Sequence, residues 1–397
     1  MDNIIGYVKY FSACKISNRI YFFNMTFNGV FYMDLSDLSI HFVHRLSSEP
    51  INRTILSVAH CFADKDAVYF LPHYTNVIMK YHFVKQKEQI IKIPDFDDKN
   101  FETLGFVRYS DKVYIFPAEL DKGVYIFDMK IQKVDKDRKL SLLFSKFSNV
   151  DIFLVQERYV LINNGDNKII EVDIEEGKIN RIDELKKDIQ IFDLIFDGEH
   201  YWILQKKSTD IYEWDRENGL FQKYTNEYAV WETQKYEISP PYSNLIFLEK
   251  EVLVLNHCMK NILRINREKK VIESPVPFPE NFQLDRQEFA GWPICNSYLV
   301  LDDRVLLYPC RGNMLLIYNK ATKKLTGREM TVSNQEVPYL FEIVFWGFLN
   351  DRIHYEKRIA KTLNRFVSYM NESLPEKTKR IKESTVGNQI YSMMKDT

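Results

Sequence analysis

An all-β chain of seven repeats, each holding four strands and followed by a C-terminal helical extension, is what this sequence predicts. Three observations predict it. The apolar run VYIF at 113–116 returns at 124–127, around the loop PAELDKG. Two β-branched and aromatic runs about a loop rich in turn formers read as a β-hairpin. The same hairpin occurs seven times, and its last residues recur at intervals of 42 to 53. Each copy is also preceded by an apolar segment and followed by a charged one, which brings every repeat to four strands. Four strands about every 45 residues is the period of propeller blades. The predicted fold is therefore a seven-bladed β-propeller; one repeat lost or gained would make six or eight.

In chain order the hairpins are IYFFNMTFNGVFYMD, VYFLPHYTNVIMKYH, VYIFPAELDKGVYIFD, YVLINNGDNKIIEVD, YWILQKKSTDIYEWD, VLVLNHCMKNILRIN and VLLYPCRGNMLLIYN. They end at Asp34, His82, Asp128, Asp173, Asp215, Asn266 and Asn319. The fifth position is Asn24, Pro72, Pro117, Asn163, Gln205, Asn256 or Pro309. Segments such as SVAHCFADKD, LGFVRYSD and IFDLIFDGE supply the first strand, and SIHFVHRL, EQIIKIP, GKINRID and KVIESPVP the fourth. A lone four-stranded sheet cannot bury both faces, and its edges invite pairing with other chains. Radial packing of blades buries both faces, so the middle strands become continuous apolar runs rather than alternations. The N-terminal IIGYVKYF is expected to close the ring against the last blade.

In its repeat period and in a third strand closing on Asp or Asn, the stretch 4–335 resembles kelch-like and related bacterial propellers. The resemblance implies the fold and transfers no functional residue. No Gly-Gly pair of the kelch kind occurs, and the Trp-Asp dipeptide of WD40 repeats occurs once, at Trp214-Asp215.

The expected domains are a propeller over 1–335 and an extension over 336–397. In the extension, Leu363, Phe366, Val367 and Met370 take the i, i+3, i+4, i+7 spacing of an amphipathic helix. Residues 351–397 hold ten basic and six acidic side chains, so this segment either clasps the propeller or docks a partner.

A formal net charge of −1, from 54 basic and 55 acidic residues, supplies no global field for nucleic acid. No apolar run reaches the ~18 residues that span a bilayer. The first residues lack the basic and apolar regions of a secretory leader. Five cysteines without CxxC spacing suit reduced thiols in a cytoplasmic protein. Plentiful Lys, Ile, Asn, Phe and Tyr suit the AT-rich coding of some bacteria.

In a propeller the loops between second and third strands share one rim with the connections between blades. There the sixth and seventh hairpin positions present His73, Tyr74, Glu119, Asn164, Lys206, His257 and Arg311, a polar set suited to a sugar, peptide or phosphate. His257, Cys258 and Cys310 come from adjacent blades and do not supply the converging ligands that zinc needs, so no metal or other cofactor is expected. The acidic run PDFDDKNFE, with Asp97, Asp98 and Glu102, reads as a hydrated loop.

The connections YTNEYAVWETQKYEISPPYS and PVPFPENFQLDRQEFAGWP are long for a propeller. They carry Tyr228, Trp231, Tyr236, Tyr242, Phe278, Phe282, Arg286, Phe289 and Trp292. Aromatic residues with Arg are what protein interfaces use as anchors. The phosphate-loop, dinucleotide, HExxH and GxSxG templates are absent. A non-catalytic binding or scaffold propeller for a protein partner is the expected function. The alternative is a propeller enzyme or lectin-like module for a glycan or peptide at the polar rim.

Overall fold

The computed structural model describes residues 10–24, 29–45, 58–73, 75–95, 101–147, 151–163, 167–228, 240–257, 259–283, 293–309, 312 and 314–330. The C-terminal extension lies outside this set. Seven antiparallel sheets of four strands follow one another, each a meander in chain order. The blades cover 10–45, 58–92, 103–137, 151–184, 191–224, 242–277 and 295–329.

Each predicted hairpin forms the second and third strands of one blade. The two VYIF runs lie in Lys112–Pro117 and Val124–Asp128. Their continuous apolar character follows from the packing. Val113 and Ile115 face blade two, beside Tyr69 and Ile78, while Tyr114 and Phe116 face blade four, beside Val160 and Ile162. Every side chain of the run has a neighbouring blade to bury against, so none needs to be polar.

Seven such seams make up the core, and one joins Leu306, Tyr308 and Leu315 of blade seven to Ile20, Phe22 and Phe31 of blade one. Side-chain packing thus closes the ring. Of the N-terminal segment expected to pair with the last blade, only Tyr10 and Phe11 are among the described residues. Tyr10–Ile16 is the inner strand of blade one and hydrogen-bonds to that blade's own second strand, Arg19–Asn24. Residues 4–9 lie outside the described residues. Among the described residues each blade holds four strands of its own.

The recurring Asp or Asn at the hairpin's end has a local cause. In Asp34, Asp128, Asp173, Asp215, Asn266 and Asn319, Oδ1 accepts a backbone N–H two or three residues on, at 2.9 to 3.1 Å. These Asx turns start the return to the outer strand. Four residues past the hairpin's end the backbone turns left-handed in every blade, at Leu38, Gln86, Gln132, Gly177, Gly219, Lys270 and Lys323. A side chain there is strained, whereas glycine is not. Nothing lies within 4 Å of a Cβ added at Gly219. Gly219→Ala is therefore expected to cost about 1 kcal/mol, and Lys323→Gly to gain a similar amount, as read from urea midpoints.

Between blades three and four, the helix α1 (Arg138–Phe144) is capped by Asp137, whose Oδ1 accepts the Leu140 N–H at 2.8 Å. It buries Leu140 and Phe144 in the seam, with the Phe144 ring 5.1 Å from Phe116. No helix among the described residues is long and apolar enough to cross a membrane.

Candidate functional site

In an antiparallel four-strand blade the loops between strands two and three share one face with the connections to the next blade. That loop face carries the predicted rim and both long connections.

Its backbone is stitched the same way in several blades. The sixth hairpin residue donates its N–H to the carbonyl just ahead of its own blade's inner strand. Ala118 donates to Glu102 at 2.8 Å, Lys206 to Gln190 at 2.8 Å and His257 to Pro241 at 3.0 Å. The His257 carbonyl in turn accepts from Ile294, in the lead-in to blade seven, at 3.0 Å. Amides at the fifth position close the loops: Gln205 donates to the Asp210 carbonyl at 3.1 Å and Asn256 to the Asn261 carbonyl at 2.9 Å. The same backbone frame therefore carries Ala, Lys or His.

All seven inner strands also hold a one-residue bulge near their start. Bulges re-aim side chains, and they put polar residues where an inner strand would otherwise be apolar. Asp193 and Asn244 sit just past their bulges, and each accepts the next residue's N–H at 2.8 Å. The charge of Asp193 helps push up the Tyr298 hydroxyl pKa, after burial, although blade six separates their blades.

Between blades two and three the loop face gathers His60, His73, Glu102 and Glu119. His60 follows the bulge of blade two, and its ring lies 5.6 Å from Phe106 of blade three. His73 and Glu102 pair as a backbone bridge, with Nδ1 and Oε1 3.8 Å apart. Thr103 ties the same place together by donating to the Pro72 carbonyl at 2.7 Å. Burial pushes both imidazoles down to about 4, and for His73 the neighbouring His60 adds to the effect. Burial, then the charge of Glu119, raises the Glu102 carboxyl. Glu119 itself is exposed and pairs with Lys122 at 3.1 Å. Neutral imidazoles beside two carboxyls make a cluster that can both donate and accept hydrogen bonds.

This cluster predicts a pH dependence. Above about pH 6.5 both folded and unfolded imidazoles are neutral. As pH falls from 6.5 towards 4 the unfolded chain takes up protons that the buried rings refuse, so stability falls through that window. Glu102 acts in the opposite sense, since the native state holds its proton more tightly. The urea midpoint is expected to drop between pH 6.5 and 4, and His60→Gln with His73→Gln to flatten the drop.

Of the predicted rim, His73 and Glu119 come together here, while Lys206 and His257 stand on blades five and six. Tyr74, Asn164 and Arg311 lie outside the described residues. His60 was missed by reading hairpins alone; a histidine inside the apolar first strand SVAHCFADKD was the available signal. Among the described residues no group of three or more His, Cys, Asp or Glu side chains is placed to hold a metal ion.

The long connections are pinned at their described ends. In the first, Asn226 donates to the Tyr242 hydroxyl at 2.7 Å, and that hydroxyl donates to the Thr209 carbonyl at 3.0 Å. Tyr242 is buried and Tyr228 half exposed. In the second, Phe278 and Phe282 are buried edge to face, 4.9 Å apart, in the seam of blades six and seven. Phe282 is thus a core residue. Trp231, Tyr236, Arg286, Phe289 and Trp292 lie outside the described residues.

No protein-family model matches the chain, and no curated protein matches it. Similar solved structures exist at low identity. The computationally designed Ika8 protein is 10% identical over 82% of this chain and 90% of its own, with a TM-score of 0.52. The extracellular domain of the putative hybrid two component system BT3049 from B. thetaiotaomicron is 10% identical, with a TM-score of 0.53, over 79% of this chain but 40% of its own. A chain of the Mitotic Checkpoint Complex is 8% identical over 79% of this chain and 87% of its own, with a TM-score of 0.51. At such identities a likeness speaks for the fold alone, and with seven sheets closed by seven seams that fold is a seven-bladed β-propeller.

Proposed function

We propose that this chain is a non-catalytic binding propeller that holds a protein partner on its loop face. One observation carries the reading: both long aromatic connections are pinned at their two ends to that face, by Asn226 with Tyr242 and by Phe278, Phe282 and Ile294. The residues between the pins supply the aromatic anchors and Arg286, the side-chain types that concentrate binding energy at protein interfaces. A ring whose strands are buried on both faces holds the ends of both connections in place. The frame itself is permissive, and nothing in a propeller dictates one function.

A second reading places a glycan, peptide or other small polar ligand at the cluster of His60, His73, Glu102 and Glu119, where neutral imidazoles stand beside carboxyls. The two are separated by affinity capture from native lysate. Trp231→Ala, Phe289→Ala and Trp292→Ala together, in a variant whose circular dichroism is unchanged, are expected to reduce capture of a specific protein at least tenfold. Equal capture by both forms contradicts the partner reading and turns attention to the histidine–glutamate cluster.

A further inference from the structure

The seam between blades one and two holds two thiols that neither the fold nor the loop face uses. The inner strand of blade one (Tyr10–Ile16) runs directly against that of blade two (Val58–Asp64), with Cα atoms repeatedly within 8 Å. Cys14 stands on the first and Cys61 on the second, and both pack into the same core cluster with Tyr21, Phe23 and Phe70. Ser12 locks the two strands together: its Oγ accepts the Cys61 N–H at 2.9 Å and lies 3.4 Å from Cys61 Sγ. Cys61 is near enough to Cys14 to raise the pKa of its thiol. Both are free thiols, Cys61 buried and Cys14 less so.

We propose that Cys14 and Cys61 form a reversible inter-blade disulfide when the protein meets a hydroperoxide. Cys14, the more accessible, reacts first. Its thiolate attacks one peroxide oxygen, an S–O bond forms, the O–O bond breaks, and the leaving hydroxide takes the thiol's proton as water. Cys61 sulfur then attacks Cys14 sulfur, the S–S bond forms, the S–O bond breaks and a second water leaves. Two thiols and one hydrogen peroxide give one disulfide and two waters. The neighbouring Cys61 thiol, together with burial, holds the Cys14 thiol well above its usual pKa. Closure is therefore slow at neutral pH and quickens as pH rises. Once formed, the bond ties residues 14 and 61 in the unfolded chain as well, which stabilises the native ring.

The test uses the full chain, purified reduced and treated with hydrogen peroxide. Tryptic peptides are then mapped without reductant. The expected product is the peptide 10–15 joined to the peptide 54–65, with the mass of both less two hydrogens, and reversed by dithiothreitol. The thermal midpoint of the oxidised chain is expected to rise by several degrees, and Cys14→Ser to show no such rise. Recovery of both peptides unlinked, as free thiols or as oxygen adducts, after the peroxide is consumed overturns the proposal. The map is made on the unsubstituted chain, so it decides the matter even where a serine variant fails to fold.

Discussion

Arg216→Leu is expected to destabilise the fold by about 3–5 kcal/mol, because it leaves buried Glu171 without a cation and Asp183 with Arg181 as its remaining partner. Arg216 stands just past the third strand of blade five, Ile211–Asp215, and reaches back into blade four. Its Nε and a terminal nitrogen donate to Asp183 Oδ2 at 2.8 and 2.6 Å, and its other nitrogen donates to Glu171. Side-chain exposures are 6% for Arg216, 10% for Glu171 and 11% for Asp183, so water cannot replace the lost partner. In blades one to four this position holds Leu35, Phe83, Met129 and Ile174, each packed into the seam with the blade before it, whereas blades six and seven carry Arg267 and Lys320. An apolar seam at this position is thus compatible with the fold. Arg216→Leu combined with Glu171→Val and Asp183→Val is expected to recover most of the loss. Urea midpoints of the single and triple variants check this; an unchanged midpoint in the single variant would contradict it.

Phe282→Ala is expected to cost about 3–5 kcal/mol, the range for emptying a buried phenylalanine site. The ring is 1% exposed and meets Phe278 and the loop of blade seven. Gly312, in that loop, has no room for a side chain, since an added Cβ would lie 2.5 Å from Phe282 Cζ. Gly312→Ala alone is expected to cost about 1–3 kcal/mol by overpacking. In a Phe282→Ala background it should cost much less, because the clashing ring is gone; the shortfall from additivity measures the contact. A Phe282→Ala variant with unchanged stability and lost partner capture would instead place this ring in the interface.

The repeated strands were legible because each faces the same environment. Burial on both sides demands unbroken apolar runs, and VYIF, VYFL and VLVL meet that demand. The Asp or Asn at the hairpin's end was legible too, since an Asx turn needs that short acceptor. Other features leave weaker marks. A bulge shifts register by one residue without changing composition, which hid the role of His60. The left-handed turn residue is glycine in only two blades, so five of its seven positions carry no sequence signal. Phe282 looked like an interface anchor because an aromatic in a long connection reads the same whether it packs on a partner or on its own blades. Glu102 was visible only as part of an acidic run, and its approach to His73 depends on two blades meeting. The change at this position from apolar residues in blades one to four to Arg216, Arg267 and Lys320 likewise had no meaning until the position had a seam to belong to.

Cross-linking mass spectrometry on the captured partner tests the binding surface most directly. Contacts are expected in the two long connections, 225–241 and 278–294, and in the hairpin loops between second and third strands. Cross-links confined to the opposite face, around the exposed Val84 and Ile131, or to the outer strands would contradict a partner surface on the loop face.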